Sequence, residues 1–211
     1  MAYDLEEQEQ IAELKSWWKE YGNLVTIGVA ACALSFAGFQ GWRYYNHSQA
    51  IGAVTLYEQL DQAERAGDRK KVRDIAEQIT GKYSSTAYGA FAALSAARAS
   101  FEMGDLAGAK SQLQWVIDNG KEDELRGIAR LRLAGVLLDE KNYADALKLL
   151  EVNSVESMAG LYADLKGDIL LLQGKKAEAR SAYQLALDKS EAGSEYRAAI
   201  QLKRDSLGEA K

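Results

Sequence analysis

The chain has 211 residues, with 26 Lys and Arg against 31 Asp and Glu, a formal net charge of -5 at pH 7, one cysteine, one histidine and no proline. The acidic balance excludes the basic field that nucleic-acid binding needs, and a lone cysteine excludes a disulfide framework. Cys32 and His47, as the only residues of their types, leave no set from which a zinc cluster or a Cys/His catalytic pair can be built, and no cofactor is expected.

Residues 1–23 are predicted to be a cytoplasmic tail; they hold six acids against Lys15 and Lys19. Leu24 to Trp42 follows as 19 positions without a charge. As a helix this run is roughly 28 Å long, close to bilayer thickness and longer than the core of a cleavable signal. Trp17, Trp18 and Tyr21 before it, and Trp42, Tyr44 and Tyr45 after it, supply aromatics for both interfaces. The acidic tail is the opposite of a basic leader, so the segment is expected to stay attached as a transmembrane helix, 24–42. Val29-Ala30-Ala31-Cys32 resembles a lipidation box, but Ala33, Leu34, Phe36 and Phe39 continue the apolar run where a lipoprotein turns polar. Lys15 and Lys19 against Arg43 give a thin positive-inside bias, with the N-terminus in the cytoplasm. Ala33, Ala37 and Gly41 form a small-residue stripe that would admit a second membrane helix.

Beyond the anchor, 24 basic residues face 25 acidic ones, and the absence of proline with abundant Ala, Leu, Glu and Lys predicts an all-α domain over 43–211. Turn signals at Gly67, Gly104, Lys141 and Gly174 recur 37, 37 and 33 residues apart, near the 34-residue tetratricopeptide period. Ala109, Ala146 and Ala179 each stand five residues after a turn, where a small side chain lets two helices approach. Leu113, Leu150 and Tyr183 fill the large apolar site four residues later, and Ala134 and Gly167 the small site seven residues before their turns. Ala186 matches the second small site, whereas Val116 and Asn153 do not. The first unit is expected to be atypical, with Val72 in place of the key alanine, and Tyr196, Ala199, Ile200 and Leu207 predict a C-terminal capping helix.

The first helices of such units line a concave groove. The repeat phase aims Val54 and Tyr57, then Phe91, Leu94, Arg98 and Phe101, then Ile128, Leu131 and Leu138, then Leu161, Asp164, Asp168 and Leu171 toward it. An apolar strip of this kind suits a partner segment. The alternative is that a phase error of one residue turns these side chains into contacts with one another or with the C-terminal helix. Arg69, Lys70, Lys71 and Arg73 are read as a solvated helix face, with a phospholipid or acidic-partner contact as the alternative, and Glu122, Asp123 and Glu124 as an acidic helix start.

Gly41-Trp42-Arg43-Tyr44-Tyr45-Asn46 at the anchor exit, Tyr88-Gly89-Ala90-Phe91-Ala92, Leu131-Arg132-Leu133-Ala134 and Ala163-Asp164-Leu165-Lys166-Gly167-Asp168 together resemble the YfgM family of bacterial inner-membrane proteins. That resemblance implies an ancillary subunit of the SecYEG translocon with a periplasmic tetratricopeptide domain. It further implies association with the membrane-anchored chaperone PpiD and assistance to exported client proteins, with no catalytic residues. A membrane-anchored scaffold for another cell-envelope complex is the alternative.

Overall fold

The computed structural model describes residues 2–152, 155–191 and 194–208, and the described residues form helices without strands. By contacts the chain divides into a unit ending at Gln49 and a compact unit beginning at Ala50.

In the first unit one helix, α1, begins at Ala2 and continues to Arg65, its last turns belonging to the second unit. It holds a stretch long and apolar enough to cross a membrane. Only 6% of its most apolar window is buried, the opposite of a soluble core helix, so the apolar side chains from Leu24 to Trp42 stand bare.

The second unit continues with α2 (Arg69–Lys82), α3 (Ala87–Glu102), α4 (Leu106–Asn119), α5 (Asp123–Asp139) and α6 (Tyr143–Glu151). A short 3-10 turn at Glu156–Met158 leads into α7 (Ala159–Leu172), followed by α8 (Lys176–Lys189) and α9 (Glu195–Ser206). Four hairpins result: the end of α1 with α2, α3 with α4, α5 with α6, and α7 with α8. All four close in the same way. Gly67, Gly104, Lys141 and Gly174 take positive φ, and the next residue's N–H returns to a carbonyl five positions back: Asp68 to Ala63, Asp105 to Ser100, Asn142 to Leu137 and Lys175 to Leu170. This is the helix-ending pattern in which a left-handed residue satisfies the last carbonyls. Lys141 adopts it without glycine, at a cost of about 1–2 kcal/mol. In the first two turns the next helix starts at once, Asp68 accepting from the Lys71 N–H and Asp105 from the Gly108 N–H.

The expected small sites are filled as the spacing requires. Ala109, Ala146, Ala179 and Ala134 are fully buried, and the large-site residues Leu113, Leu150 and Tyr183 are in the core. A Cβ added at Gly167 would meet the Tyr183 ring at 2.5 Å, so only glycine admits that ring. The first unit is less divergent than its sequence: Val72 is buried and the hairpin closes as in the others. Val116 is fully buried despite its larger side chain, and Asn153 lies outside the described residues.

The core is a chain of clusters, each shared by successive helices. Leu60, Ile75 and Ile79 pack with Ala92, Ala96 and Ala99; Leu94, Leu113 and Val116 with Leu125 and Leu133; Leu150 and Met158 with Tyr162 and Ile169; Tyr183 and Leu187 with Ile200. Such nearest-neighbour packing is what a helical repeat array predicts. The phenol of Tyr162 ties α7 to α5 by donating to the Gly127 carbonyl at 2.9 Å.

The capping helix α9 is present and buries Ile200, with Tyr196 and Leu207 against the last cluster, although Ala199 faces solvent. Its polar side clasps α7. Lys203 Nζ donates to both Asp164 oxygens at 3.0 Å and to Asp168 at 2.8 Å; Tyr196 donates to Asp164 at 2.9 Å and Tyr183 to Asp168 at 2.7 Å. Asp164 is only 7% exposed, so these partners supply the compensation that a buried carboxylate needs. Burial, reinforced by the bond to the carboxylate, raises the phenol pKa of Tyr183 and of Tyr196 well above the ordinary value.

Candidate partner-binding face

The first helix of each hairpin carries the candidate residues, and the structure sorts them into distinct settings. On α3 the open side is a narrow stripe. Phe91 is 39% exposed and Phe101 43%, with Arg98 and Glu102 also exposed, whereas nine other positions of this alanine-rich helix, from Gly89 to Ser100, are buried between neighbours. Leu94 is a correction to the expected groove strip: at 7% exposure it sits in the cluster with Ala90, Ala97, Leu113 and Leu125 and serves the core.

Tyr57, near the end of α1, lies partly buried with its ring 5.3 Å from Tyr88 and 6.3 Å from Phe91, making an aromatic group at one end of the stripe. Burial pushes the Tyr57 phenol above its ordinary pKa, and the Glu64 and Asp61 carboxylates push the same way. At the other end, the Glu102 carboxylate joins two helices, accepting from Arg98 Nε at 2.9 Å and from Arg69 Nε at 2.7 Å. These bonds, from Arg98 first and Arg69 second, hold the carboxyl below its usual range. The basic run of α2 is therefore partly engaged rather than wholly solvated, since Arg73 also pairs with Asp105 at 3.0 Å.

On α5 the expectation is displaced. Ile128, Leu131 and Leu138 are partly buried against the cluster holding Tyr162 and Ile169, and beyond the first turn of α5 the exposed positions are Arg132 and Asp139, each one residue past a predicted one. The phase is off by one here because the large apolar residues turn toward α7. Leu138 nonetheless has an edge in a cavity of about 470 Å³. That cavity is lined by Ala97, Arg98 and Phe101 of α3, Ala109 and Leu113 of α4, and Arg132, Gly135, Val136, Leu138 and Asp139 of α5. Three predicted residues, Arg98, Phe101 and Leu138, thus meet in one concavity. Sequence reasoning missed Arg132 and Asp139. The repeat register maps Phe101 onto Leu138 and Arg98 onto Gly135, which all line the cavity, but it maps Arg132 and Asp139 onto Ser95 and Glu102, which do not, so it held no signal for them.

On α7, Leu161 is exposed, but Asp164, Asp168 and Leu171 are not on an open strip. Leu171 packs with the cluster around Ile200, and both aspartates are taken by α9. The C-terminal helix therefore covers this part of the expected groove. In the first unit Ala33, Ala37 and Gly41 are exposed along α1, and a Cβ at Gly41 would meet nothing.

The profile of the family described as "Tetratricopeptide repeat-like domain" matches residues 15–209. A Haemophilus influenzae protein named "Ancillary SecYEG translocon subunit" is 32% identical over 189 residues, covering 88% of this chain and 91% of the relative. A Neisseria gonorrhoeae protein of the same name is 30% identical over 208 residues, covering 98% of this chain and all of the relative. The Escherichia coli protein of that name is 32% identical over 180 residues, or 84% of this chain and 85% of the relative.

Proposed function

This chain belongs to the tetratricopeptide-like family of ancillary SecYEG translocon subunits, and from that premise we propose that it is a non-enzymatic interaction protein of the bacterial inner membrane. It attaches to SecYEG, links the channel to the periplasmic chaperone PpiD and assists exported client proteins. The observation that supports this reading most is the extent of the likeness: relatives bearing the translocon name align along nearly the whole chain, apolar helix and repeats together. The N-terminal tail is cytoplasmic, the helix spans once, and the repeat domain is periplasmic.

Tethering supplies the physical advantage. A repeat domain held to the membrane beside the channel meets an emerging chain at an effective concentration in the mM range, so weak, sequence-tolerant contacts suffice. Phe91 and Phe101 on α3 and Leu161 on α7 offer exposed apolar surface on the first helices of two hairpins, and Arg98 adds a directional donor. The stripe of Ala33, Ala37 and Gly41 serves a neighbouring membrane helix.

Photocrosslinking in cells tests the groove. A benzophenone amino acid at Phe91 or Phe101 should yield adducts with the chaperone or an exported chain, while the same probe at exposed Leu185 of α8 should not. Equal adducts at all three positions, or none at the first two, would remove the groove from the account. An alkaline phosphatase fusion after Lys211 should be active; an inactive fusion reverses the orientation.

A further inference from the structure

The cavity between α3 and α5 has an apolar floor and an uneven distribution of charge. Its floor is Ala97, Leu113 and Val136, and its volume of about 470 Å³ is within the roughly 300–1,000 Å³ typical of pockets that enclose a ligand group. Two guanidinium groups stand at its edge. That of Arg98 is paired with Glu102, whereas Arg132 makes no ion pair among the described residues. Asp139, the one carboxylate in the lining, is seven residues further along α5, about 10.5 Å by helix rise, and no ion pair joins it to Arg132.

The two arginines feel each other. Arg132 keeps an accessible side chain beside apolar walls, and partial desolvation, followed by the positive charge of Arg98, lowers its pKa. Arg98 has its counter-charge in Glu102, so it is Arg132, partly desolvated beside the apolar floor, that a bound anion would stabilise.

We propose that the cavity lined by Arg98, Phe101, Arg132 and Leu138 receives a polypeptide segment of a partner protein carrying a carboxylate beside large apolar side chains, the carboxylate on Arg132 and the apolar group on the floor. This rests on the groove reading above and names the chemistry of the partner it takes. The guanidinium fork accepts a carboxylate with two parallel N–H donors, which fixes the direction in which the segment lies, and Phe101 and Leu138 supply the apolar walls. The free cation is what selects an acidic segment over a merely greasy one.

The test uses the full chain in detergent micelles and two fluorescein-labelled peptides at low salt, Ser-Leu-Glu-Phe-Leu-Gly-Lys-Ser and its counterpart with glutamine in place of glutamate. Anisotropy should show the glutamate peptide binding about tenfold or more tightly than the glutamine peptide. Arg132→Gln, at an exposed position, should erase that difference without changing the melting temperature. Phe101→Ala should weaken both peptides by a similar factor. Equal binding of the two peptides to the unaltered protein, with Phe101→Ala still weakening both, overturns the carboxylate inference and leaves the groove. Absence of saturable binding, or binding indifferent to both variants, overturns the inference and the groove reading together. Phosphatidylglycerol vesicles that bind through Arg132 while neither peptide does would make the site one for lipid headgroups and overturn it also.

Discussion

Adding one methyl group at each of two helical glycines should move stability in opposite directions. Gly135 on α5 has nothing within 4 Å of an added Cβ, because it faces the cavity; at Gly167 on α7 the same atom would lie 2.5 Å from Tyr183 Cε1 and 2.6 Å from Cδ1. That ring cannot retreat easily, being fully buried with its hydroxyl on Asp168 at 2.7 Å. Both variants gain the helix preference of alanine over glycine, about 1 kcal/mol. Gly167→Ala also meets an overpacking penalty of about 1–3 kcal/mol, and contacts this short place it at the upper end. The two should therefore differ by about 1–3 kcal/mol, with Gly135→Ala the more stable. At about 2–4 °C per kcal/mol for a domain of this size, calorimetry of the full chain in detergent should separate their Tm values by roughly 2–12 °C. Coincident Tm values would refute the close approach of α7 and α8 and with it the role of small residues in setting the repeat.

The core and the open stripe of α3 should respond differently to the same charge: Leu94→Glu buries a carboxylate and should abolish cooperative melting, whereas Phe91→Glu should keep the fold and lose partner crosslinks, as circular dichroism and crosslinking would show. The clasp of α9 predicts alkaline weakness. Burial raises the pKa of Tyr183 and Tyr196 above the ordinary phenol value, and for Lys203, where burial alone would lower it, the bonds to Asp168 and Asp164 prevail and raise it above the ordinary lysine value. Their contribution is thus complete below pH 10 and should fall as pH rises past it, so amide exchange in α9 should accelerate there more than in α4. Ala37→Leu should leave the protein in the membrane after carbonate washing but reduce co-purification of a membrane partner; unchanged recovery would make the stripe ordinary filler.

The hairpins were legible because their ends are set by local chemistry. Gly67, Gly104 and Gly174 provide the left-handed residue, aspartates follow the first two, and the spacing placed Lys141 in the same role despite its side chain. Groove phase was less legible. On α3, Ala90, Ala92, Ala93, Ala96, Ala97 and Ala99 are buried around nearly the whole helix, so no broad polar face fixes which way Leu94 points. On α5 the large side chains Leu131 and Leu138 turn toward α7, and the exposed positions fall to Arg132 and Asp139. The α9 clasp joins Asp164 to Lys203 across 39 positions, and the repeat phase aimed Asp164 at the open groove, leaving contact with the C-terminal helix only as the alternative. Only packing reveals that the carboxylate is buried.

The central claim is attachment to the protein-conducting channel, and mild-detergent purification of the tagged full chain from its own membranes, followed by mass spectrometry, tests it most directly. The account predicts SecY, SecE and SecG with a membrane-anchored chaperone in the eluate, with recovery of the membrane partners reduced on Ala37→Leu. Recovery of a different cell-envelope complex free of all three Sec subunits would contradict it.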